Sequence, residues 1–123
     1  MTNKGAVTLS GKLAGRLQMG GCIGTTTSSA TSTLTNESTG TIEVTSDASL
    51  SSTEGAYLGG VIGYAARIGK THKNYASVKF GGTIAEAVTE NVNVGGAIGY
   101  TVVAAEDICN YGDVTCTPKG NIQ

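Results

Sequence analysis

The chain has 123 residues, a net charge of −1, 39% apolar and 14% charged residues, and no basic patch. This balance lacks the electrostatic footprint of a nucleic-acid binder and the Lys/Arg-rich amphipathic segment of a membrane-surface helix. No apolar run nears the roughly 20 residues of a spanning helix. With 19 glycines, one proline and abundant Thr and Ser, the composition predicts short strands and turns: β-branched residues suit a pleated sheet, and glycine weakens helix interiors.

In chain order, "MTNKGAVTLSG" has no apolar signal core, which fits either a cytosolic chain or a piece cut from a longer precursor. Gly5-Ala6-Val7-Thr8-Leu9 alternates with period two and predicts a strand. A weaker strand candidate lies near Leu13, and the glycine motif Gly20-Gly21-Cys22-Ile23-Gly24 follows. The hydroxyl-rich "TTTSSATSTLT" could form an ice-binding array, but it occurs once and reads better as a solvated loop or glycosylated patch, with Asn36-Glu37-Ser38 as a sequon. The first two motifs then return as Gly40-Thr41-Ile42-Glu43-Val44 and Gly59-Gly60-Val61-Ile62-Gly63-Tyr64, with weak strand character at Leu50 between them. They return again as Ala76-Ser77-Val78-Lys79-Phe80 and Gly95-Gly96-Ala97-Ile98-Gly99-Tyr100, separated by Gly82-Thr83-Ile84-Ala85; a last copy of the strand motif is Gly112-Asp113-Val114-Thr115-Cys116. Ile84 to Val88 could be read as helix but is too short to support one.

Glycine motifs are spaced 39 and 36 residues apart, and strand motifs 35, 36 and 36, with Asn3, Ser38, Asn74 and Asn110 standing two residues before each strand motif. A unit of about 36 residues made of two or three strands cannot bury its apolar face alone, whereas stacked copies share a continuous core. The expected fold is an all-β, repeat-built parallel β-solenoid in which equivalent strands pair about 4.8 Å apart. The alternative, an antiparallel β-sandwich, gives no reason for the period. Residues 1–123 form a single repeat domain with copies at roughly 1–35, 36–75 and 76–111 and a partial copy at 112–123. Neither end reads as a capping repeat, which implies a fragment of a longer protein with open ends that self-associate. The glycine motif is expected to be one alternating strand, with Val92, Val94, Gly96, Ile98 and Tyr100 on one face. Gly20, Gly21, Gly59, Gly60, Gly95 and Gly96 are read as structural residues that permit close backbone approach, and Ile23, Ile62 and Ile98 as core.

"VGGAIGY" followed by "DICNYGDVTC" resembles the GLUG-type repeats of large bacterial surface and secreted proteins, best known from gut Bacteroidetes. The resemblance implies an extracellular or cell-surface location and a repeated β-rich module beside adhesive or enzymatic domains. Thr25 in place of the motif tyrosine and Ala76 in place of glycine depart from the pattern.

A phosphate loop needs a strand running into a helix, but Tyr100-Thr101-Val102-Val103 continues as strand, and Gly69-Lys70-Thr71 lacks the upstream glycine spacing. Cys22, Cys109 and Cys116 are odd in number, and Cys22 and Cys116 align with apolar residues, so the three are read as free or buried thiols, with a Cys109–Cys116 bridge as the alternative in an exported chain; one His and no Cys-x-x-Cys argue against zinc. His72 is expected on the surface in a charged turn, and Glu106, Asp107 and Asp113 as solvated turn residues rather than a calcium loop or acid pair. No catalytic residue, cofactor or metal site is assigned. Tyr64/Tyr100 and Tyr75/Tyr111, each pair 36 residues apart, should stack; alternation buries Tyr100, whereas Tyr75 and Tyr111 lie beside turns as candidate ligand contacts. The reading is a non-catalytic adhesin or scaffold segment that partners a glycan or a surface protein. Its alternatives are a carbohydrate-binding module and an accessory segment of a secreted peptidase or glycosidase.

Overall fold

The computed structural model describes all residues except 31, 52, 86, 87, 89, 105–107 and 121–123. The chain winds as a parallel β-solenoid, one coil per repeat. The first coil comprises β1 (Thr2–Asn3), β2 (Val7–Leu9), β3 (Lys12–Leu13), β4 (Leu17–Gly20) and β5 (Ile23–Ala30). The second comprises β6 (Leu34–Asn36), β7 (Ile42–Val44), β8 (Ser49–Leu50), β9 (Ala56–Gly59) and β10 (Ile62–Ile68). The third comprises β11 (His72–Asn74), β12 (Val78–Phe80), β13 (Thr83–Ile84), β14 (Val92–Gly95) and β15 (Ile98–Ala104). A partial fourth coil adds β16 (Ile108–Asn110), β17 (Val114–Cys116) and β18 (Lys119–Gly120).

Equivalent strands stack into five parallel sheets: β1-β6-β11-β16, β2-β7-β12-β17, β3-β8-β13-β18, β4-β9-β14 and β5-β10-β15. Every strand pairing among the described residues is parallel, which excludes the antiparallel sandwich. The strand motifs align as the sequence predicts, with Val7, Ile42, Val78 and Val114 in one column and Leu9, Val44, Phe80 and Cys116 in the next. The weak candidates near Leu13, Leu50 and Ile84 form the third sheet.

Three expectations need correction. The glycine motif is a corner between two sheets: β14 ends at Gly95, Gly96-Ala97 bends, and β15 begins at Ile98. Asn36, not Ser38, shares the column of Asn3 and Asn74, because the second coil spends two more residues between this asparagine and its strand. The hydroxyl-rich segment is mainly strand, entering β5 and β6, since its β-branched residues extend the fifth sheet beside Tyr64 and Ala65.

The apolar side chains divide into two compartments. Ile42, Val44, Leu50, Leu58, Val78 and Phe80 fill the space between the second, third and fourth sheets. Leu34, Val61, Ile62, Ala65, Ile68 and Ala97 fill a smaller one between the first and fifth. Each large side chain fully buried contributes about 1.5–3 kcal/mol.

Between the compartments runs a ladder of asparagines. The Asn3 side-chain amide donates to Asn36 Oδ1 at 2.8 Å, Asn36 to Asn74 at 2.9 Å, and Asn74 to Asn110 at 2.8 Å. Each amide also donates to a carbonyl of its own turn: Gly5, Gly40, Ala76 and Gly112, at 2.8–2.9 Å. Asn36 and Asn74 are completely buried and fully partnered, so the low dielectric that makes a lone amide costly strengthens the ladder.

The glycine motif follows from this ladder. A Cβ on the first glycine would overlap the carbonyl oxygen three residues on, that of Ile23, Ile62 or Ile98. On the second it would strike the ladder amide of Asn36, Asn74 or Asn110. On the last it would approach the fourth sheet: 2.8 Å from Gln18 O for Gly24, 2.5 Å from Met19 N for Gly63 and 2.7 Å from Leu58 N for Gly99.

Gly60→Ala should therefore lose about 3 kcal/mol, whereas Gly15→Ala, with nothing within 4 Å of the added Cβ, should be neutral or slightly stabilising; urea unfolding of both variants compares them. Asn74→Ala strips a partner from the buried Asn36 and from Asn110 and should cost about 2–4 kcal/mol, against about 1–2 kcal/mol for Asn110→Ala, which unpartners only the Asn74 amide beside a position open to water, measured by the same titration.

Candidate functional site

The surface carries two groups of stacked tyrosines. Tyr75 and Tyr111 follow the ladder asparagines at the ends of β11 and β16, and their backbone N–H groups donate to Asn36 O and Asn74 O, each at 2.8 Å. These bonds fix the two residues one coil apart. Their rings stack at 5.0 Å between centroids and 13° between planes, and remain 40% and 63% exposed. A hydrogen bond with the Cys109 thiol, aided by coulombic interaction, holds the Tyr111 phenol above its ordinary pKa. Glu37 takes the same place one coil earlier, its N–H donating to Asn3 O at 2.9 Å.

The second group spans the seam between the fourth and fifth sheets. Tyr64 and Tyr100 share a column and stack at 5.8 Å and 4°, while Tyr57 from β9 lies 5.8 Å from Tyr64 and 5.1 Å from Tyr100. The Arg16 guanidinium sits 5.8 Å from the Tyr57 centroid, pairs with Glu90, and its residue's backbone N–H donates to Glu54 Oε2 at 2.9 Å. Such a cation over a ring gains about 0.5–1 kcal/mol at an exposed site. Tyr100 is exposed, contrary to the alternation argument, because its column has no described strand beyond β15 and its ring stands over Tyr57 rather than in the core. Sequence reasoning missed Tyr57, whose column holds Gln18 and Asn93 in the other coils. The alternation in Ala56-Tyr57-Leu58, with only the tyrosine outside the core, was the available signal.

The remaining candidates fall elsewhere. Gly20, Gly21, Gly59, Gly60, Gly95 and Gly96 form the corners just described, where Ile62 is buried and Ile23 and Ile98 pack against the smaller core. Cys22 shares its place with Val61 and Ala97, and its thiol lies 3.5 Å from Thr35 O, with burial pushing its pKa up. Cys22, Cys109 and Cys116 are free thiols; Cys109 and Cys116 belong to different sheets. The sequon's Asn36 is wholly buried, so the folded chain does not offer it for glycosylation. Glu106 and Asp107 lie outside the described residues, and Asp113 is exposed. Among the described residues there is no cluster of three or more His, Cys, Asp or Glu side chains that could hold a metal ion, and no helix long and apolar enough to cross a membrane.

His72 overturns its surface assignment. It opens β11 and points inward with Asn74, while Lys73 points out; Leu34 and Ile108 flank it in the column. The ring is completely buried and neither nitrogen has a hydrogen-bond partner among the described residues. Burial lowers its pKa, because the interior disfavours the imidazolium.

No protein-family model matches the chain, and neither the curated proteins nor the solved structures yield a match.

Because the folded chain binds the His72 proton less readily than the unfolded chain, stability is lost as pH falls below about 6.5 towards the lowered folded pKa. His72→Leu, which copies Leu34 of the preceding coil, should raise stability by about 1–3 kcal/mol and flatten that part of the pH profile. Thermal melts across the range compare the two proteins.

Proposed function

We propose that this chain is a non-catalytic β-solenoid module of a bacterial surface or secreted protein, serving as an adhesin or scaffold segment, as the GLUG resemblance implies. The observation that carries the reading is the asparagine ladder, which bonds each coil to the next and is completely buried and fully partnered at Asn36 and Asn74. A stack tied in this way resists bending and extends by adding coils, the mechanical property a spacer or display rod needs. An antibody against this segment should label intact cells that carry the parent protein and lose its target on mild protease shaving. Recovery of the segment only from the cytosolic fraction would overturn the assignment.

A second reading, recognition of carbohydrate, is favoured by the exposed Tyr75–Tyr111 stack. Its rings combine apolar faces with hydroxyl edges, the chemistry that packs on a pyranose and hydrogen-bonds its rim. In affinity electrophoresis against polysaccharide gels, the Tyr75→Ala/Tyr111→Ala variant should lose the retardation shown by the parent while keeping its melting temperature within a few degrees. Absence of retardation in every gel leaves the scaffold role alone.

A further inference from the structure

Among the described residues, His72 is the one buried side chain whose polar atoms go unmet. Leu34 of β6 and Ile108 of β16 flank its ring in the first sheet, and the smaller compartment on which it faces is filled by Leu34, Val61, Ile62, Ala65, Ile68 and Ala97. The elements around it bring no counter-charge. Neither β6 and β16 beside it nor β5, β10 and β15 of the fifth sheet contain an Asp or Glu. Cys22, packed against the same compartment, holds its thiol against Thr35 O, and burial keeps that thiol neutral. On the ring's own stretch of chain the charged groups are cations: Arg67 and Lys70 are exposed, and Lys73 points outward. Glu106 and Asp107, which precede Ile108 in sequence, lie outside the described residues. A proton on His72 therefore finds neither a partner nor a balancing charge among the described groups.

Two features confine the response to that proton. The larger core, with Ile42, Val44, Val78 and Phe80, shares no residue with the smaller one, and the bonded amides of Asn36, Asn74 and Asn110 run between them. His72 also opens β11 directly after the connection Gly69-Lys70-Thr71, which is exposed at Lys70. The way from the buried ring to water is short and crosses only the smaller compartment.

We propose that His72 is an acid-operated latch on the smaller compartment: proton uptake by the ring releases the start of β11 and the end of β10 at Gly69-Lys70-Thr71, while the larger core stays packed. The closed form holds the ring neutral because burial disfavours its charged form, whereas in the open form the ring titrates as an ordinary histidine, near about 6.5. The open population therefore grows about tenfold for each pH unit below that value, until the closed form also takes up the proton. Return to neutral pH closes the compartment again.

Residue-resolved hydrogen exchange of the full chain, from neutral to mildly acid pH and corrected for intrinsic exchange rates, tests the latch. Protection in β11 and at the end of β10 should fall about tenfold per pH unit below about 6.5 and should be insensitive to low urea, as a local opening requires. Ile42 and Val78, whose N–H groups donate to Ser77 O and Asp113 O in the second-sheet region, should stay better protected and exchange only through urea-sensitive global unfolding. His72→Leu should remove the acid dependence from β11. Equal protection in the two sets at every pH overturns the proposal, since the chain then opens only as a whole. So does protection in β11 that is indifferent to acid, or an acid dependence that survives in His72→Leu. The comparison of β11 with Ile42 and Val78 uses the parent chain alone and stays decisive if the variant fails to fold.

Discussion

The fold depends on the close passage of a glycine corner over a buried amide. Gly21, Gly60 and Gly96 lie where a Cβ would occupy the space of Asn36, Asn74 and Asn110. Since those amides are partnered along the stack and within their own turns, they cannot move aside without leaving a buried donor or acceptor unmet. Sequence, corner and ladder therefore constrain one another. The corner divides the interior into two compartments and turns the chain from the fourth sheet into the fifth, and this turn creates the seam on which Tyr57, Tyr64 and Tyr100 meet.

Parallel stacking also converts a sequence interval into surface chemistry. Residues one period apart become neighbours, so a tyrosine repeated at that interval becomes a stacked pair, and a single departure becomes a local change in one column. His72 is such a departure, a polar ring between Leu34 and Ile108 in an otherwise apolar column. The cost is an orphaned imidazole, which makes this one position sensitive to acid. Glu37 before Tyr75 is the converse case, a charge at a position where the later coils place aromatic surface.

The repeats also absorb irregular length without losing register. From Asn3 to Asn36 the chain takes 33 residues and from Asn36 to Asn74 it takes 38, yet the asparagines remain bonded neighbours. Most of the difference lies in turns, and one extra residue is taken up as a bulge in β5, where Thr26 pairs with Ala65 but Ser29 with Arg67; the columns of Val7 and Leu9 continue unshifted. That tolerance explains why motif spacing located the strands of the second sheet correctly but misplaced one asparagine: counting back from a strand assumes a constant turn, and the bonding does not.

What the sequence determined by itself was the repeat, the parallel stacking it requires, and the columns that carry Val7, Leu9 and their successors, because apolar alternation at a fixed interval has only one way to build a shared core. It also foretold the Tyr64/Tyr100 and Tyr75/Tyr111 stacks. Tertiary structure alone decided that each repeat makes one coil, that the glycine motif is a corner, that Asn36 rather than Ser38 joins the ladder, that His72 is buried, and that Tyr57 completes an exposed aromatic cluster. Each of these depends on where a turn bends and which sheet then lies alongside, and those contacts join residues whose local patterns carry no sign of one another.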